Sequence, residues 1–256
     1  MRQFILFAVG LLLCSGLSTA VLAQDETNKD LPKAREFFVG LSGQPMVSQF
    51  WVTETGLPEN VEVSREVGFP AYSFGAYAGE FFCRNWGYEF GINFTQYVDE
   101  AEYATSLTDT VSNTVITNTR NVRQEVQYFT VPLLARFRSN PEKDFQFSAV
   151  GGLQIGILSG LNYFVNDIEL PDTVRNEFDA RSDVFAKAQI SAQLGAGFSY
   201  NFLDNWRVDV RGQGGLNLFD IEDIKLKEGT DRGAVRAVNA GLFVGLSYRI
   251  PRKDET

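Results

Sequence analysis

The chain has 256 residues, 44% of them hydrophobic, with 22 phenylalanines, two cysteines, no histidine and a formal net charge of −9. Such a balance leaves no basic footprint for nucleic acid. The lack of histidine removes Ser–His nucleophiles and histidine-bound zinc from consideration.

The N-terminal segment reads Met1-Arg2-Gln3, then an apolar run over 4–13, then weakly polar residues ending Val21-Leu22-Ala23. This is the three-part pattern of a secretory signal, assigned to residues 1–23, and its apolar run is shorter than the ~20 residues of a spanning helix. Cys14 follows Leu11-Leu12-Leu13 rather than a small residue, which argues against lipidation. Removal of the signal leaves Cys83 as the single cysteine, so no internal disulfide can form. Residues 24–35 form a polar lead, expected to be periplasmic.

From residue 36 the pattern changes to a period of two. In 188–202, Ala188, Ile190, Ala192, Leu194, Ala196, Phe198, Tyr200 and Phe202 alternate with Gln189, Ser191, Gln193, Gly195, Gly197, Ser199 and Asn201. A helix would not produce this alternation. The division recurs, and eight strands are predicted at about 36–43, 71–83, 87–98, 124–138, 145–158, 187–202, 206–219 and 235–250. An even number suits a bacterial membrane barrel. Two segments strain the pattern. In the second strand Glu80 shares a face with Tyr72, Phe74, Ala76 and Ala78, while Tyr77 and Phe81 share the glycine face, so a bulge is expected. In the fourth, Pro132 cannot donate to a ladder, which predicts a bulge there.

Connections alternate in length. Arg84-Asn85-Trp86, the segment 139–144 and Leu203-Asp204-Asn205 are short and turn-forming, whereas 44–70, 99–123, 159–186 and 220–234 are long and polar. Aromatic residues flank the short turns: Phe81, Phe82, Trp86 and Tyr88, then Phe137 and Phe145, then Phe202 and Trp206. Membrane barrels have short periplasmic turns, longer extracellular loops and aromatic girdles. The expectation is an all-β fold: an eight-stranded antiparallel up-and-down transmembrane β-barrel over 36–250, with four long extracellular loops and a tail at 251–256. A water-soluble barrel shares the alternation, but it does not account for the one-sided loops, the strand-end aromatics or the signal.

If the polar face is inside, Glu89, Arg136, Arg207, Asp209, Arg211 and Arg249 lie in the lumen. An eight-stranded interior is just wide enough for side chains, so these charges are expected to form a structural ion-pair network rather than a conduction path. The acidic runs Asp99-Glu100-Ala101-Glu102 and Asp220-Ile221-Glu222-Asp223 raise calcium, but neither has EF-hand order. No cofactor, metal site or catalytic constellation is expected.

The segment Phe129-Thr130-Val131-Pro132-Leu133-Leu134-Ala135-Arg136-Phe137 resembles the aromatic-x-x-Pro-Leu-Leu-x-(Arg/Lys)-aromatic strand of the porin-like outer-membrane barrels common in Bacteroidota. The last strand, Gly241-Leu242-Phe243-Val244-Gly245-Leu246-Ser247-Tyr248-Arg249, is similar too. The resemblance covers about 36–250 and implies an eight-stranded barrel without a shared active site. One departure is that this chain runs past Ile250 into a polar tail rather than ending on an aromatic residue. Three roles follow as expectations: a non-enzymatic envelope or loop-binding protein, an accessory part of a secretion or surface-assembly machine, or a narrow pore. The expected partners are outer-membrane lipid and lipopolysaccharide, and other envelope or secretion proteins.

Overall fold

A computed structural model of the chain describes residues 36–52, 61–109, 114–166, 168–169, 188–219 and 235–250. The expected signal at 1–23, the lead at 24–35, the acidic run at 220–223 and the tail at 251–256 lie outside the described residues.

The strands are β1 (Glu36–Val52), β2 (Val61–Glu66), β3 (Gly68–Phe81), β4 (Trp86–Asp109), β5 (Thr114–Arg138), β6 (Phe145–Val165), β7 (Ile168–Glu169), β8 (Ala188–Leu203), β9 (Trp206–Asn217) and β10 (Val235–Ile250). Eight of them close a ring in the order β1-β3-β4-β5-β6-β8-β9-β10, every neighbour antiparallel. The ring shuts where β1 meets β10, from Phe37↔Ile250 to Val52↔Val235. β2 and β7 are additions outside the ring, on β4 and β6.

The burial pattern is inverted relative to a soluble barrel. Leu194 is 73% exposed and Leu41 69%, in company with Phe74, Ile92, Phe129, Phe145, Ile157 and Phe198, whereas Asp209 and Arg211 are 0% exposed. An apolar exterior around a charged interior has its energy minimum in lipid, where outward alkyl and aromatic groups meet acyl chains and backbone groups are satisfied by the closed ladder. Among the described residues no helix is long and apolar enough to cross a membrane; the strands do so.

The short ends are tightly built. Asp204 and Asn205 turn β8 into β9, and the Cys83 N–H donates to the Trp86 carbonyl at 3.1 Å. In the β5–β6 turn the Asn140 side chain accepts from the Glu142 N–H at 3.2 Å, the side-chain mimic of a turn that asparagine favours. Arg84 pairs with Glu142 at 2.7 Å, and the Asn85 amide donates to the carbonyls of Arg138 and Ser139, tying two turns into one rim.

Three expectations need correction. Several strands outrun the segments read as loops: β1 continues to Val52, β4 and β5 pair as far as Asp109↔Thr114, and β6 reaches Val165. The β4 and β5 extensions are mainly polar, and those of β1 and β6 mix apolar with polar residues on both faces, so a clean apolar–polar alternation does not mark them, yet the ladder continues. Pro132 creates no bulge. The β5–β6 register passes straight through Pro132↔Gln154, and the shift lies between Gln127 and Tyr128. On the other side the β4–β5 pairing lapses between Phe90↔Leu133 and Asn93↔Thr130 without a change of register, the local cost of a missing N–H. The second predicted strand has no bulge where its faces change: its register runs unbroken against β4 from Tyr72↔Gln96 to Phe81↔Gly87, and the one shift against β1 lies at its N-terminal edge, between Met46↔Ala71 and Ser48↔Gly68. Instead Tyr77 and Phe81 point inward, and Glu80 faces out beneath the Tyr88 hydroxyl, which donates to it at 3.1 Å.

With short turns periplasmic, a tag inserted within 110–113 is expected to be reached by antibody on whole cells, and one between Pro141 and Glu142 only after the outer membrane is permeabilised. The reverse pattern would invert the orientation.

Candidate functional site

The lumen gathers the buried charged side chains of the ring, and period two decides which side chains enter it. On β5 these are Tyr128, Thr130, Leu134, Arg136 and Arg138; on β9 they are Arg207, Asp209, Arg211, Gln213 and Asn217. They form layers along the axis.

The central layer is an ion-pair net. Arg211 grips Glu89 with two bonds, Nη2 to Oε1 at 2.9 Å and Nη1 to Oε2 at 3.1 Å. Arg136 donates from Nη1 to Glu89 at 2.8 Å and from Nη2 to Asp209. Asp209 also accepts from Ser199 at 2.5 Å and from the Tyr77 hydroxyl at 3.1 Å. Two guanidinium groups thus meet two carboxylates, with the remaining oxygen lone pairs taken by hydroxyls, the condition under which buried charge is tolerated.

Nearer the short turns lies a second layer. Arg138 and Arg207 each donate to Glu36 at 2.6 Å, one to each oxygen, and Arg207 Nε donates to Asn201 at 2.9 Å. Aromatic rings fill the space between the charges. Arg138 lies 3.8 Å from the Phe81 ring centroid, Arg211 3.9 Å from that of Phe243 and Arg136 4.9 Å from that of Phe38. Such desolvated contacts contribute on the order of 1–2 kcal/mol each. Glycine makes room for them. A Cβ at Gly79 would stand 2.4 Å from Phe38 Cζ, and one at Gly245 would stand 2.6 Å from the Tyr77 hydroxyl.

Toward the long-loop end the charges give way to amides, including Gln44, Gln154, Gln193, Gln213 and Asn239, around a cavity of only about 20 Å³. That is room for about one water. Beyond it, Met46, Phe50, Tyr97, Val126, Tyr128 and Ala237 pack into an apolar cap. The lumen is therefore stopped twice, by charge and rings below and by apolar side chains above.

Of the six lumen charges read from the sequence, Glu89, Arg136, Arg207, Asp209 and Arg211 meet in or beside this net. Arg249 does not; it sits at the rim, where its Nη2 donates to the Asp204 carbonyl at 3.0 Å. Sequence reasoning missed Glu36, Arg138 and Tyr77. The signal was present, since Arg138 is two residues from Arg136, Glu36 two from Phe38, and both sit at strand ends where the face assignment was not carried through. Of the acidic run 99–102, Asp99 is buried and bonded to Arg65 at 2.6 Å, and Glu100 approaches Arg123 at 3.8 Å. Among the described residues no three acidic, cysteine or histidine side chains gather as metal ligands.

Comparison with known proteins agrees with this architecture. The family model for the outer membrane protein β-barrel domain matches residues 22–220, which take in β1 to β9. The chain belongs to that family. It is an integral protein of the outer membrane. Solved structures to which it is similar include Ail, the attachment invasion locus protein of Yersinia pestis, at 14% identity over 84% of this chain and 99% of that one, with a TM-score of 0.37. OprG of Pseudomonas aeruginosa is 11% identical over 86% and 98% of the two chains, with a TM-score of 0.36. Outer membrane protein W of E. coli is 14% identical over 86% and 100%, with a TM-score of 0.32. No curated protein matches the chain.

Removing one partner of the central net leaves an uncompensated buried charge, so Asp209→Ala and Arg211→Ala are each expected to cost about 3–5 kcal/mol, read as a lower urea midpoint in lipid vesicles. Arg249→Ala, at the rim, is expected to cost less than about 1 kcal/mol.

Proposed function

We propose that this barrel is a closed, non-enzymatic scaffold of the outer membrane whose role is carried by the surfaces it presents outside the bilayer. The observation that carries the reading is the doubly stopped lumen, where the cavity described between the two plugs holds only about 20 Å³. A conducting path would have to break the Arg136–Glu89 and Arg211–Glu89 pairs together, which argues for structure over transport. The reading as a catalyst is disfavoured because the chain has no histidine and the lumen carboxylates Glu89 and Asp209 are engaged by guanidinium groups.

The extended strands supply the presenting surface. β4 and β5 continue as a polar ribbon past the last outward aromatic residues, Phe94 and Phe129, and β2 and β7 widen it on either side. Lipopolysaccharide and outer-leaflet lipid are the immediate neighbours of that ribbon. A binding partner beyond them is a protein or glycan of the surface. The second reading, an accessory part of a secretion or surface-assembly machine, is favoured by the rigid periplasmic rim made by Arg84, Asn85, Arg138 and Glu142, since a fixed rim offers a docking surface at low entropic cost. The Phe129–Phe137 motif further suggests a Bacteroidota origin.

In planar bilayers the purified barrel is expected to give no stable channel events; steady conductance would overturn the closed-scaffold reading. A crosslinking pull-down from whole membranes distinguishes the roles. Co-purification of periplasmic or inner-membrane assembly proteins through the rim, lost when Arg84 and Glu142 are both replaced by alanine, would favour the accessory reading.

A further inference from the structure

The amide layer between the two plugs is short of donors. Gln213, which is 8% exposed, and Asn93 both line the cavity of about 20 Å³. Their side-chain oxygens, Oε1 and Oδ1, are buried, and no donor among the described residues reaches either one. A buried acceptor left this way carries its full desolvation penalty. The two oxygens belong to β9 and β4, which stand four strands apart in the ring of eight, so they approach the cavity from opposite walls and no backbone ladder can join them.

Other polar groups on these walls are committed elsewhere. The hydroxyls of Ser73 and Thr95 bond each other at 2.9 Å, Gln44 donates to the Gln213 carbonyl at 3.4 Å, and the Tyr97 hydroxyl lies against Gln154 and Gln189. Gly75 gives the Asn93 oxygen its place, since a Cβ there would stand 2.3 Å from Oδ1. Two acceptors without donors thus face one enclosed space.

We propose that this cavity is a hydration site, in which one ordered water molecule donates to Gln213 Oε1 and to Asn93 Oδ1. The donor count selects the guest, because two lone acceptors call for a group with two donors, and the volume admits one of water size. The Ser42 hydroxyl, from β1 on the same wall, supplies a donor for the water's own oxygen. A metal ion would also satisfy the two amides, but the nearest carboxylate, Glu89, is already held between Arg136 and Arg211, so an added cation would stand uncompensated in a buried place. The water joins β4 to β9 across the lumen, between the ion-pair net and the apolar cap. The site lies beyond the scaffold reading and does not depend on it.

The test is a crystal structure of the full barrel at a resolution where waters are seen, together with thermal midpoints in detergent. One peak is expected at about 2.6–3.0 Å from both oxygens, and exchange of sodium for N-methylglucamine at constant ionic strength is expected to leave the midpoint unchanged. Gln213→Met keeps the length of the side chain and removes the acceptor, so the peak is expected to be lost. Asn93→Leu is expected to lose it too, and either variant that folds serves. The proposal is overturned if no peak lies there, if protein donors reach both oxygens instead, or if the peak persists in a folded variant. A peak closer than about 2.5 Å to both oxygens, with a midpoint that follows sodium, would overturn the water and assign a metal cation.

Discussion

In the hydrocarbon of a bilayer a backbone N–H or C=O has no water to turn to, and each unsatisfied group costs several kcal/mol. The β1–β10 ladder meets that demand for this chain, because it removes the edges that an open sheet of these strands would leave in lipid. Much of the remaining architecture follows from closure. With eight strands in the ring, the interior is one side chain wide. Lipid outside fixes the apolar parity outward, so nearly all the charge on these strands is accommodated in that narrow interior, Glu80 beneath Tyr88 being an exception.

An interior of this kind must neutralise itself. The chain does so with paired arginines and carboxylates, and it fills the gaps with rings instead of water. Phe38, Tyr77, Phe81 and Phe243 break the rule of apolar-out, and they do so where guanidinium groups need a desolvated partner that accepts no proton. Replacing such a ring by an aliphatic side chain would keep the volume and lose the quadrupole. The lumen glycines beside these rings take their meaning from the same packing: Gly79 is small because the Tyr88 carbonyl and the Phe38 ring both crowd it, not because the backbone there needs an unusual torsion.

Much of this was legible in the amino-acid sequence because parity is a strong code. The segment 188–202 sorts without error into an outward apolar and an inward polar row, and β8 occupies Ala188–Leu203. The presence of Glu89, Arg136, Arg207, Asp209 and Arg211 inside follows from the same code. What parity cannot supply is distance between strands. That Glu36 at the start of β1 joins Arg138 at the end of β5 and Arg207 at the start of β9 depends on stagger around the ring, which no local pattern records. The second strand departs from parity for a related reason: Tyr77 and Phe81 share the glycine face, which predicts a bulge, yet both are plug residues in a register that runs unbroken against β4. Arg249 obeys parity and still misses the net, because it stands at the rim, where the layers have ended.

The extensions beyond the bilayer show the constraint lifting. Above Ser48↔Gly68 and Tyr72↔Gln96, β3 leaves the ring, and β1 and β4 no longer share a strand between them. Side chains take over the pairing there. The Ser48 hydroxyl accepts from the Val98 N–H at 2.8 Å and donates to its carbonyl at 2.6 Å, doing for one residue what a neighbouring strand would do. Asp99 accepts from the Phe50 N–H at 3.1 Å and from Arg65 of β2 at 2.6 Å, joining three strands through one carboxylate. Gly68 passes so close that a Cβ would lie 2.1 Å from the Val98 carbonyl oxygen. A side-chain seam of this kind would be costly in hydrocarbon, where a lost hydroxyl strands two backbone groups at once. Here the seam is itself buried, with Ser48 1% and Asp99 2% exposed, so the Ser48 hydroxyl and the Asp99 carboxylate take the place of both strand and water for these backbone groups.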